Sequence, residues 1–297
     1  MKGWLITNAF LNNSKFSEIR NWLVDAARNK GIELINLTNA EVLVILDADF
    51  EKKDMNRWNE KPDFVLFWDK DIRLARFLEN LGFHLFNSST AIEICDDKSF
   101  THIQLQSAGI RMPDTIIAPM TYSNIGYNDY EFLTTVMSKL SFPMVVKECF
   151  GSFGQQVYLV NDEAELKAKV LEIGAKPMLF QKFIATSKGQ DVRLQVVGEQ
   201  VVASMYRYSD QGDFRANITG GGKMKPYEPT RKQIELAVKC CREIGLDFGG
   251  VDLLFGEEQE PIVCEVNSNA HFKNIYDCTG INVADYIMDY IEKKMTS

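Results

Sequence analysis

Histidine is scarce in this sequence, at positions 84, 102 and 271 only, and none of the six cysteines forms a C-x-x-C pair. Those two shortages exclude the usual zinc spacings. The thiols are scattered, and the opening MKGWLITNAF turns polar too soon for a secretory segment. Both features point to a reduced cytoplasm. No run approaches the ~18 apolar residues that a membrane span requires, and tandem repeats and low-complexity tracts are absent. Positive charge is also short: 33 Lys and Arg stand against 41 Asp and Glu, a net charge of -8. Such a surface repels nucleic-acid phosphates. No G-x-G-x-x-G follows the first apolar run, and Gly220-Gly221-Gly222-Lys223 does not satisfy the P-loop pattern.

What is present is ordinary globular material: 297 residues, 45% hydrophobic and 25% charged, long for one core and suited to two or three lobes. Residues 4–7 and 33–37 read as buried strands around a helix that opens at Ser17 and stops at Gly31. Residues 42–46 and 64–68 read as further strands and 71–81 as a helix, a β-α-β order suggesting a parallel, Rossmann-like unit. A helix over 99–108 leads into a second block, with strands over 115–118, 143–148, 156–160 and 177–184 and helices over 130–139 and 164–173. In the last block, 192–197 and 201–206 alternate about a turn and a polar loop covers 209–225. Thr230 and Gln233 then open a helix, and 282–294 closes the chain as an amphipathic helix.

The chemistry gathers in GGVDLLFGEEQEPIVCEVN, residues 249–267, where two apolar runs flank a polar turn and read as an antiparallel hairpin. Glu265 and Asn267, two residues apart on a strand, share a face. If Asp252 lies alongside, three oxygen-bearing side chains converge, a set that suits a hard cation such as Mg²⁺. Two solvated acids and a turn-forming Asn are the plainer alternative. Lys147 ends a strand just before the glycine loop Gly151-Ser152-Phe153-Gly154, whose amides could cradle phosphate; a solvated strand-end lysine is the alternative. Lys98 could pair with Asp96 and Asp97. Asp191-Val192-Arg193 and Asp213-Phe214-Arg215-Ala216-Asn217 each combine carboxylate and guanidinium, by default a surface salt bridge.

Taken in order, Lys98, Lys147, the glycine loop, Gln181-Lys182-Phe183-Ile184, DVRLQVVGEQVVASM, GDFRAN and GVDLLF…CEVN resemble the ATP-grasp superfamily. Within it they are similar to the RimK-type carboxylate–amine ligases, closely over 91–291 and only in general plan before that. The resemblance implies an α/β and α+β chain: an ATP-grasp fold with an N-terminal Rossmann-like (pre-ATP-grasp) domain at 1–92, a central lobe with a glycine-rich lid loop at 93–186, and a C-terminal lobe with the Mg²⁺ site at 187–297. It implies a cytoplasmic ligase that activates a carboxylate as an acyl phosphate and joins it to the amine of an amino acid or peptide, releasing ADP and phosphate. That chemistry needs positioning and charge neutralisation more than a protein nucleophile. ATP would lie against Lys98, Lys147, Gly151, Ser152, Gly154, Gln181, Lys182, Phe183 and Ile184, with its ribose at Asp191. Arg215 and Asn217 would be catalytic, and Arg193 and Arg207 would be cations near the carboxylate or phosphate. Asp252, Glu265 and Asn267 would hold two Mg²⁺ ions, replaceable by Mn²⁺, with Glu265 bridging. Neither nucleic acid nor membrane is an expected partner, and a homo-oligomer is compatible with the pattern.

Two departures stand out. Lys182 occupies a position where such ligases commonly carry Glu. After Asn267, where they continue to a Pro-Gly turn, this chain reads Ser268-Asn269-Ala270-His271. An imidazole there offers a donor and an acceptor, so His271 is expected to contact the acceptor or amine substrate and not ATP; a plain hydrophobic anchor formed by its neighbours Phe272, Ile275 and Tyr276 is the alternative. A carboxylate–thiol ligase or small-molecule kinase on the same fold is the enzymatic rival. A non-catalytic ATP-binding regulatory module is the other, opposed by the intact Lys147, Arg215, Asp252, Glu265 and Asn267.

Overall fold

A computed structural model describes residues 1–11, 14–46, 61–152 and 154–297; Phe153 of the glycine loop lies outside them. The chain begins with a parallel sheet of β1 (Lys2–Thr7), β2 (Glu33–Thr38), β3 (Phe64–Trp68) and β4 (Leu85–Phe86), in the order β2-β1-β3-β4. Strands buried on both faces read as unbroken apolar runs, which explains FVLFW in β3. Alternation sends Leu5, Phe64 and Leu66 towards helix α1 (Ser14–Asn29), and Trp4, Ile6, Val65 and Phe67 towards α2 (Ile72–Asn80). Gly3 has no side chain because the Phe64 ring stands 2.3 Å from where its Cβ would be.

Two short helices follow, α3 (Ser89–Asp96), capped by Ser88, and α4 (Lys98–Ser107), capped by Asp97. The second sheet is antiparallel, in the order β5-β8-β6-β7, built from β5 (Thr115–Ile117), β6 (Met144–Glu148), β7 (Val157–Val160) and β8 (Met178–Lys182). Helices α5 (Phe132–Leu140) and α6 (Glu163–Ile173) cover one face, burying Met144, Val146, Met178 and Phe180. Val145, Lys147 and Gln181 are thereby turned to the other face.

The third sheet runs β11-β10-β9-β12-β13, with β9 (Gln190–Val197), β10 (Gln200–Tyr208), β11 (Lys223–Pro226), β12 (Phe248–Phe255) and β13 (Pro261–Asn267). Helix α7 (Arg231–Ile244), started by the Thr230–Gln233 capping box, packs Ala237, Cys240, Cys241 and Ile244 against Val192, Leu194, Val251 and Val266. Ala91, Cys95 and Leu105 of α3 and α4 join this core, although they precede the second sheet in sequence. Near the ends of β9 and β10 the opposite face is covered by α8 (Lys273–Thr279) and α9 (Val283–Thr296), which pack with α1 and join the first and third sheets.

Two sequence expectations are corrected. Residues 42–46 form no strand: Glu41 and Val42 donate backbone hydrogen bonds to Thr38 O, Glu41 reaches back to Thr38, and this turn carries the chain off the sheet. Val42 alone is buried, and Leu46 is 87% exposed. The loop expected over 209–225 ends in β11, where Lys223–Pro226 pairs with Met205 to Tyr208.

Candidate active site

Between the second and third sheets lies a solvent-open cleft lined by residues of both. Its floor is the β12–β13 hairpin. The antiparallel register sets Asp252 directly opposite Glu265 and Gly250 opposite Asn267. Between Asp252 and Leu253 the register slips by one residue, a bulge at Cys264. Val263 and Val266 remain in the core while both Cys264 and Glu265 face the cleft. The donor atoms here are carboxylate and amide oxygens, suited to a hard cation. Among the described residues no group of three or more His, Cys, Asp or Glu could hold a metal ion. A cation would therefore lean on Glu265 together with oxygens of a ligand, the way Mg²⁺ is commonly held beside phosphates.

Asp252 itself is already engaged. Cross-strand register places Arg193 opposite Asp252 and Arg207 opposite Asp191. Arg193 donates to both Asp252 oxygens at 2.6 Å, and Arg207 donates to Asp191 at 2.6 and 2.7 Å and to Asp252 at 2.8 Å. The result is an alternating ladder, Asp191–Arg207–Asp252–Arg193, with Asp191, Arg207 and Asp252 buried. Burial raises the Asp252 carboxyl, but the charges and hydrogen bonds of its two arginines outweigh it and hold it at about 2. Asp191 has one arginine clamp and a like charge beside it, and burial leaves its carboxyl raised. The sequence default of surface salt bridges does not apply to this ladder.

The opposite wall carries the lysines. Lys147, on β6, lies 3.8 Å from Cys264 Sγ. Lys98, the first residue of α4, donates to Gly151 O at 3.1 Å and approaches Glu265 to 3.9 Å. Arg215 is held by Asp213 and donates to Gly154 O at 2.8 Å. Gly154, at φ +73°, has no side chain to spare: a Cβ would sit 2.6 Å from Asn217 Oδ1. The glycine loop of the second sheet thus touches the 213–217 loop of the third.

At the back of the cleft, Gln181 to Ile184 leave β8 for a short 3-10 turn, Ala185–Ser187. Phe183 meets Phe214 edge-on at 6.3 Å. The Lys182 ammonium lies away towards Asp114, at 3.8 Å. Gln181 is buried, and its amide nitrogen reaches His102 Nε2 at 2.8 Å and Thr115 Oγ1 at 2.9 Å. The only sequence signal for His102 is its place one helical turn after Lys98.

Lys98, Lys147, Gly151, Ser152, Gly154, Gln181 to Ile184, Asp191, Arg207, Arg215, Asn217, Asp252 and Glu265 all line the cleft. Arg193 stands just behind Asp252. Asn267 is the last residue of β13, its Nδ2 buried with no hydrogen-bond partner among the described residues. His271 is the departure: its ring meets Phe16 of α1 edge-on at 5.5 Å. Ala270 packs against Gly250 and Phe272 is buried in the α1–α9 core, which turns the residue between them towards α1.

Residues 95–291 match the model of the RimK-like ATP-grasp domain. Human N-acetylaspartylglutamate synthase A is 34% identical over 223 residues, 75% of this chain but 56% of the human protein. A probable alpha-L-glutamate ligase of Legionella pneumophila is 34% identical over 225 residues, 74% of this chain and 71% of that one. Among solved structures, a RimK domain protein from Sphaerobacter thermophilus has a TM-score of 0.72 at 19% identity, covering 98% of this chain and 99% of that one, a likeness of fold.

Proposed function

The chain belongs to the RimK-like ATP-grasp ligases, and from that premise we propose that it joins a carboxylate to the amine of an amino acid, with glutamate the first candidate, at the expense of ATP. Glutamate is suggested by the names of the relatives. One observation carries the reading: two lysines, Arg215, Asn217 and the Asp252–Glu265 pair converge on one cleft between two sheets.

In this reading the carboxylate oxygen attacks the γ-phosphorus and ADP leaves; the amine then attacks the acyl carbon, phosphate leaves, and the amine gives up a proton. Lys98 and Lys147 steady the phosphates, and the hinge from Gln181 to Ile184 receives the base. Arg215 and Asn217 stand beside the transferred group, where a fixed cation stabilises developing charge. Glu265, with one long contact to Lys98, would hold Mg²⁺, two ions in this reading, with Mn²⁺ as a substitute. The ions neutralise phosphate charge when bound. Asp252 and Asn267 complete the ligand set, Asp252 as the weaker member because a cation must compete there with two arginines. Asp191, clamped by Arg207, is assigned to supporting that arginine more than to the ribose.

The test is ADP release from Mg-ATP in a screen of carboxylates against amino acids, with product mass recorded. Release that requires both partners, and a product heavier by the amino acid less water, supports the ligase. A stable phosphorylated product would favour a kinase. ATP binding without turnover for any pair would favour a regulatory module.

A further inference from the structure

His102 is a buried polar group that the proposed chemistry leaves unused, and it stands directly behind Gln181 of the cleft. Its Nδ1 lies 2.8 Å from the carbonyl oxygen of Lys98, one helical turn earlier. Since that oxygen only accepts, Nδ1 carries a proton. Burial, reinforced by the charges of Lys147 and Lys98, lowers His102 to about 4, so the ring is neutral and Nε2 is an acceptor. The Gln181 group facing Nε2 must then be the amide NH₂. The second amide hydrogen goes to Thr115 Oγ1, whose own hydroxyl hydrogen is committed to Pro113 O at 2.7 Å. Two acceptors, each with its own proton occupied elsewhere, therefore dictate which way the Gln181 amide points. Its carbonyl oxygen is the one side-chain group left for a ligand, and no described residue donates to it.

We propose that His102 is a positioning residue for the nucleotide base: with Thr115 it locks the Gln181 amide so that its oxygen serves the cleft, selecting a purine with a C6 amino donor over one with a C6 oxo group. The inference rests on the reading of the cleft as a nucleotide site with the base at the hinge. A 6-oxo purine would bring an acceptor against an acceptor. The amide cannot rotate to accommodate it without facing its oxygen to both Nε2 and Oγ1, leaving buried acceptors unpaired. Sites that discriminate through committed polar groups reject the mismatched analogue strongly.

The experiment is calorimetric titration of the full chain, in Mg²⁺, with ATP and with inosine triphosphate, which replaces the amino group by oxygen. Wild type, His102→Leu and Thr115→Val are compared. We expect wild type to prefer ATP. His102→Leu should shrink that preference about tenfold, mainly through tighter inosine triphosphate binding as the amide is freed to rotate. Thr115→Val removes the second acceptor and should shift the ratio the same way, which keeps the test open if the leucine variant does not fold. Affinities for both nucleotides falling together, with the ratio unchanged, would make His102 a packing residue and overturn the proposal. Wild type that binds neither triphosphate would overturn the nucleotide reading itself, and this inference with it.

Discussion

Replacing Arg207 by methionine removes three charge-assisted hydrogen bonds of 2.6 to 2.8 Å from the buried ladder. Asp252 keeps both bonds from Arg193, but Asp191 keeps no hydrogen-bonded cation. Breaking a buried pair by deleting one partner leaves an uncompensated charge, typically at a cost of about 3–5 kcal/mol. We expect a loss of that size at pH 7. Asp191, already raised by burial, rises further without Arg207. The folded variant then binds a proton that the unfolded chain does not, so its stability falls as pH rises. The deficit should be full at neutral pH and shrink as pH approaches the ordinary aspartate range. Urea unfolding of wild type, Arg207→Met, Asp191→Asn and the double variant at pH 7 and 5 would measure it. Adding Asp191→Asn to Arg207→Met should recover about 2 kcal/mol, because the stranded charge is gone. A single variant within about 1 kcal/mol of wild type, or strictly additive singles, would refute the ladder as a coupled unit.

Glu265→Gln should cut ADP formation by about a hundredfold or more, since an amide cannot neutralise bound cations as a carboxylate does. Its melting curve should stay near that of wild type, and unchanged turnover would remove Glu265 from the metal set. Gly154→Ala forces a left-handed φ of +73° on a residue with a Cβ and drives that atom against Asn217. It should destabilise by about 1–2 kcal/mol and lower kcat about tenfold through the displaced Asn217; kcat within a factor of two would sink the contact's importance. His102 makes stability depend on pH. Below the ordinary histidine value of 6.5 the unfolded chain takes up a proton that the folded chain refuses until about 4, so stability declines as pH falls through that window. The decline attributable to His102 reaches at most about 3–4 kcal/mol, from about 2.5 pH units at ~1.4 each. Unfolding titrations of His102→Leu should show a correspondingly flatter slope, and an unaltered slope would contradict the burial.

The hairpin was legible in the sequence because its signals are local. Asp252, Glu265 and Asn267 sit in apolar strands whose period of two declares their shared face, and the register bears out Asp252 opposite Glu265. The bulge was hidden, because a slip at Cys264 leaves no mark in composition. Arg193 and Arg207 read as ordinary cations because their pairing with Asp252 and Asp191 depends on the order of β10, β9 and β12, which only the folded sheet sets. The failed strand at 42–46 has the reverse cause: its apolar run satisfies strand periodicity, while the Thr38–Glu41 turn that diverts it works through one side-chain carboxylate. His271 stands four residues past Asn267 in the sequence, but its direction is set by the packing of Ala270 and Phe272 on either side.

The charge pattern bears on why the cleft would need divalent ions at all. The ladder neutralises itself, each aspartate matched by an arginine, and Arg215 is matched by Asp213. Lys182 points out to Asp114. What remains facing the cleft is Lys98, Lys147 and Glu265, a net single positive charge, on a chain whose formal charge is -8. A nucleoside triphosphate brings about four negative charges, and phosphoryl transfer demands that they be neutralised along the bridging oxygens. One lysine's worth of surplus leaves most of that demand to metal ions. The arginines cannot make up the difference while they hold Asp191 and Asp252.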